Sequence, residues 1–173
     1  MLQNMRHLSE MLGMDGALLK RTDQLQTTIK DAISFTGTIG ERYLWIDSLC
    51  IVQDDADDKN NQISAMDQTY SSAVLTVAVT SGETADDGLA GMGAGPRTIR
   101  QHIEKVQDMY LANRSAGFDT AVNDSIWNTR AWTFQERVMS PRVLFVTKQR
   151  CFFTCNHRQD EVMENEDVNR NWS

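Results

Sequence analysis

The chain has 173 residues, enough for one domain with a hydrophobic core, and its 40% apolar and 24% charged content is ordinary for a globular domain. A net charge of -7 with no basic stripe weighs against nucleic acid and anionic membrane as main partners, because both are held by clusters of Lys and Arg. No apolar run approaches the roughly 20 residues of a membrane span, and Met1 to Lys20 lacks the continuous apolar core of a signal peptide, so the sequence reads as cytoplasmic.

In chain order, residues 1–20 read as a poorly ordered lead or a short helix, and the domain proper as residues 21–156. From Thr22 onward Leu25, Ile29, Ala32, Ile33, Thr36 and Ile39 share a helical face, with Thr22 or Asp23 as the cap and Gly40 as the stop. Tyr43-Leu-Trp-Ile46 then reads as a buried strand ending on the carboxylate of Asp47. After it, Asp54 or Asp55 caps a helix whose buried face carries Ile63, Met66, Tyr70 and Ala73. Val74 to Val79 is the second strand, and strand–helix–strand at this spacing predicts a right-handed βαβ unit with parallel strands.

Residues 81–97 read as a flexible insertion loop, since Gly91 to Arg97 has neither the GxGxxG nor the Walker spacing of a phosphate loop. Thr98 to Phe118 is compatible with a short helix or with an irregular strand. Asn123 to Met139 predicts one continuous helix with Trp127, Ala131, Phe134 and Val138 on its core face, and with Trp132 and Glu136 together on another flank. Arg142 to Thr147 and Arg150 to Cys155 predict a C-terminal β-hairpin, followed by an acidic, polar tail over residues 157–173.

The three cysteines, Cys50, Cys151 and Cys155, are too few and odd in number for a disulfide framework and read as buried free thiols. Only His157 accompanies the last two, so no metal site is predicted. The histidines are scattered, which weighs against a Ser/His/Asp or Cys/His enzyme.

Two positions carry candidate chemistry. Trp132 beside Glu136 would form a small pocket, with the indole as apolar wall and the carboxylate as acceptor or charge stabiliser. A single carboxylate suffices where the leaving group needs no proton, as in cleavage of the nicotinamide–ribose bond of NAD, whose oxocarbenium-like centre a nearby negative charge stabilises. The competing reading has Trp132 packed on a loop and Glu136 paired with Arg130, Arg137 or Arg142. Asp47, at a strand end where α/β proteins place ligands, would contact a ribose or else cap the turn toward Cys50.

Tyr43 to Asp55 (YLWIDSLCIVQDD), the run Met66 to Ala73, VLTVAVTS, GLAG and NTRAWTFQERVMSPRVLF occur in an order and spacing that resemble the fungal heterokaryon incompatibility (HET) domain, from about Thr22 to Cys155. The resemblance implies a module of fungal self/non-self recognition and cell death, acting by self-association or by recruiting protein partners. It also implies a TIR-like fold: a mostly parallel sheet flanked by helices, here with the C-terminal hairpin. Some TIR domains cleave NAD with a helical glutamate in a tryptophan-Cys-Leu-x-Glu run, to which Trp132-Thr-Phe-Gln-Glu136 is similar. This implies Glu136 as catalytic carboxylate, Trp132 and Asp47 as contacts to NAD, and NAD as substrate rather than resident cofactor. The Ala-Leu-Ser-Tyr-x-Trp-Gly type strand that usually opens such domains has no counterpart before Thr22, so the sheet is expected to present an open edge.

Overall fold

The computed structural model describes residues 25–52, 54–92, 103–112 and 116–155. The expectations for residues 1–20, 93–97 and 157–173 lie outside them. The fold is α/β, with a three-stranded mixed sheet, a separate two-stranded one and short helices around them.

Helix α1 (Thr27–Thr38) starts later than the pattern suggests, and the proposed caps fall outside the described residues. Ile29 is buried on its inner face, whereas Ile39, just past the end, is exposed. Gly40 stops it with φ of 81°, a left-handed conformation that glycine adopts without penalty.

Tyr43 to Ile46 departs from expectation. Ile46 has extended angles, φ −135° and ψ 126°, but the stretch joins neither sheet, and Tyr43 is 49% exposed. The chain turns at once into a four-residue helix, α2 (Asp47–Cys50), and the Ile46 N–H points at Cys50 Sγ, 3.5 Å away. The stretch is held through its side chains instead: Trp45 meets the Tyr70 ring edge-on at 6.2 Å. The predicted βαβ unit therefore does not form between these two segments.

Asp55 caps α3 (Ala56–Ser64) as expected, accepting the N–H groups of Asp57 and Asp58. Ala65 separates it from α4 (Met66–Ser72), whose Met66 and Tyr70 are buried. Strand β1 (Thr76–Val79) finds its parallel partner far along the chain, in β4 (Arg142–Val146), which also pairs antiparallel with β5 (Cys151–Cys155). The hairpin predicted from sequence is thus β4–β5, and β4 is the central strand with β1 and β5 at the two edges.

The register aligns Ala78, Phe145 and Phe152 across the sheet, and all are essentially inaccessible. This row is the floor of the core. Phe118 and Val122 of α5 (Phe118–Asn123) close over it, with Phe118 edge-on to Phe145 at 5.2 Å and to Phe152 at 5.4 Å. Such T-shaped contacts set the ring quadrupoles favourably. Trp127 completes the cluster, 5.5 Å from Phe145.

The segment left open between helix and strand contains a β-hairpin, β2 (Ile103–Val106) and β3 (Met109–Ala112), forming its own sheet. The described part of the 81–97 loop lies against α1. The Leu89 N–H donates to Asp31 Oδ2 at 2.9 Å, the Gly88 N–H donates to Thr28 Oγ1, and Leu89 is buried. The cysteines form no disulfide, and each is partly rather than fully buried, against the expectation of buried thiols.

The predicted helix over Asn123 to Met139 is three pieces: the end of α5, a 3-10 turn at Trp127–Thr129, and α6 (Thr133–Met139). Arg130 breaks the run with extended angles, φ −82° and ψ 141°. The break resets the helical phase, so Trp127 faces the core while Phe134 and Val138 face outward, 72% and 55% exposed. Thr133 and Ser140 are buried in their place.

Gly88 has φ of 74°, and a Cβ there would stand 2.7 Å from Asp31 Oδ2. Gly88→Ala is expected to cost about 1–3 kcal/mol in urea denaturation, from strain at a positive φ plus the lost clamp. Gly37, inside α1 with open space around it, is the control: Gly37→Ala should stabilise by about 0.5–1 kcal/mol.

Candidate functional site

Inversion of α6 brings Glu136 to its inner side. Glu136 Oε2 accepts the indole Nε1–H of Trp127 at 3.0 Å, and Oε1 accepts the Tyr70 hydroxyl at 3.5 Å. One carboxylate thus joins α6, the 3-10 turn and α4. A buried indole or phenol needs an acceptor for its polar end, and a carboxylate with two oxygens serves both.

Asp47, exposed at the first position of α2, adds a second negative charge to this cluster. Burial pushes the Glu136 carboxyl above its ordinary value of 4.5. The Trp127 hydrogen bond opposes this shift, the Asp47 charge adds to it, and the Tyr70 hydrogen bond and Arg130 charge also oppose it. The Tyr70 hydroxyl is pushed up by burial, by the charges of Glu136 and Asp47, and by its bond to Glu136. Burial likewise raises the Cys50 thiol, against the Ile46 N–H and with the help of Asp47.

Of the residues singled out in the sequence, Glu136 and Asp47 therefore share one electrostatic site. Trp132 is at the helix start, its indole 48% exposed, and its carbonyl accepts the Glu136 N–H. The indole that bonds the Glu136 carboxylate is Trp127, which the periodicity had assigned purely to the core. The arginines proposed as alternative partners are placed differently. Arg142 donates to the Val74 carbonyl, Arg137 donates to Asn123 Oδ1 and stacks over Phe118, and Arg130 acts on Glu136 through its charge. Among the described residues no group of three His, Cys, Asp or Glu side chains is arranged to hold a metal ion.

Tyr70 and Trp127 were not legible as site residues. The only hint was chemical: both are aromatic residues with a polar end on predicted core faces, and each needed an acceptor there. Chemically, the arrangement offers a half-buried carboxylate beside a second, exposed one. Such a pair can stabilise a developing positive charge or hold a proton.

Trp127→Phe removes the shorter of the two hydrogen bonds to Glu136 and is expected to destabilise by about 1–3 kcal/mol. Tyr70→Phe, which removes the longer one, should cost less, and chemical denaturation of both variants gives the order. The raised Glu136 pKa also has a sign. The folded state binds this proton more tightly than the unfolded chain, so stability falls as pH rises from 4.5 through the raised value and then levels off. Glu136→Gln should remove that fall, read as the difference between the two denaturation-versus-pH curves.

Comparison with known proteins agrees with the resemblance noted in the sequence. The family model described as heterokaryon incompatibility protein (HET) matches residues 3–136, ending on Glu136 itself. Heterokaryon incompatibility protein 6, OR allele, from Neurospora crassa is 30% identical over 134 residues, covering 59% of this chain and 20% of that relative. The chain thus corresponds to about a fifth of the relative's length. No solved structure matches it.

Proposed function

The chain belongs to the heterokaryon incompatibility (HET) family, and from that premise we propose that it is a module of fungal self/non-self recognition and programmed cell death. It acts in the cytoplasm by self-association or by recruiting a protein partner. The observation that carries this reading is the inverted α6. Phe134 and Val138, one helical turn apart, face solvent on a helix whose inner side is Thr133, Glu136 and Ser140. Exposed large apolar side chains grouped on one face mark an interaction surface. Glu136, held by Trp127 and Tyr70, fixes the rotation at which that face is presented.

A second reading is favoured by the raised Glu136 carboxyl and its neighbour Asp47: a TIR-like NAD-hydrolysing enzyme with Glu136 as charge-stabilising carboxylate. In this reading the exposed Trp132 indole and the Asp47 carboxylate contact NAD.

One experiment separates the two. Light scattering over a concentration series reports association, while nicotinamide release from NAD is followed in the same samples. Association without release, lost in Phe134→Glu, is expected for the module. Release abolished by Glu136→Ala with the fold intact would replace it with the enzyme.

A further inference from the structure

Among the described residues, the β2–β3 hairpin exposes one apolar face. Its register pairs Val106 with Met109 and Glu104 with Leu111, so these four side chains share one face. Val106, Met109 and Leu111 are all exposed there. The opposite face carries Lys105, stacked over the Tyr110 ring at 5.7 Å. A two-stranded hairpin is marginal in water by itself, and covering one apolar face is the usual remedy.

Charge indicates what covers it. The hairpin face bears Glu104, and Asp108 is exposed at its turn, so the described rim of this face is acidic. In a chain of net charge -7, most of the surface would repel it. The apolar face of α6 is an exception: Arg130 precedes it and Arg137 lies beside it, both exposed. The two surfaces thus match as apolar centre to apolar centre, with acids on one rim and arginines on the other.

Building on the self-association reading above, we propose that the hairpin face of one copy receives the α6 face of a second copy, head to tail. The two surfaces differ, so the contact is heterologous: each copy keeps one unused surface and assembly continues into a ring or filament. An isologous dimer would instead use the same surface twice and stop.

Sedimentation velocity over a concentration series tests this with two surface variants, the double Met109→Glu, Leu111→Glu change and the single Phe134→Glu change. All three positions are exposed, so the folds should be retained, and Val138→Asp serves as an independent α6 variant. The unaltered chain is expected to form species beyond a dimer. Each variant alone should stay monomeric. An equimolar mixture of the hairpin variant with an α6 variant should form dimers and nothing larger, because one intact surface of each kind remains. A hairpin variant that assembles like the unaltered chain, or a mixture that stays monomeric, would overturn the head-to-tail contact while leaving self-association standing. An unaltered chain that is monomeric throughout would overturn self-association itself.

Discussion

The carboxylate of Glu136 is the joint on which the helical side of this molecule depends. Its two oxygens accept the indole N–H of Trp127 and the hydroxyl of Tyr70, and so bind α6 to the 3-10 turn and to α4. Tyr70 in turn supports Trp45, which holds the Tyr43–Ile46 stretch outside both sheets. Burial raises the carboxyl, and the negative charge of Asp47 raises it further. The joint therefore carries an electrostatic cost that its hydrogen bonds partly offset. Among the described residues, Arg130 acts on the site through its charge and lowers the carboxyl in opposition to burial.

The same indole belongs to a second structure, the apolar core. Ala78, Phe145 and Phe152 form a row across three strands, and Phe118, Val122 and Trp127 close it from above. Trp127 packs its ring edge against Phe145 and sends its N–H to Glu136. Core and site are thus joined through one residue, so packing on the sheet positions the carboxylate. On the opposite side of α6, the same rotation turns Phe134 and Val138 to solvent. Inward carboxylate and outward apolar face are two consequences of one helical phase.

Some of this was legible in the chain. The β4–β5 hairpin followed from two apolar runs around Lys148-Gln149, the α3 cap from Asp55, and the end of α1 from Gly40. These are local features, set by turn chemistry and backbone sterics within a few residues. Asp47 and Glu136 were each singled out at the ends of distinctive motifs, but that the charge of Asp47 reaches Glu136 is a product of the fold. The phase of α6 was not legible. Periodicity assumes an unbroken helix, and one residue in extended conformation, Arg130, turns an inward face outward. Composition does not mark that break, since Asn128-Thr129-Arg130-Ala131 is compatible with a helix interior.

The sequence by itself determined the family, the α/β class and the C-terminal hairpin, since these rest on motifs and patterns read within short windows. Only the tertiary structure decided which strand β1 pairs with and which indole meets the carboxylate. The first depends on contacts between segments far apart in the chain, where backbone propensity carries no information and packing around Phe145 selects the partner. The second depends on the break at Arg130, which resets the phase of the helix. Tyr43 to Ile46 has the composition of a buried strand, yet the sheet took Arg142 to Val146 as the neighbour of β1. Strand propensity makes a segment eligible for a sheet, and the geometry of the whole core chooses among the eligible.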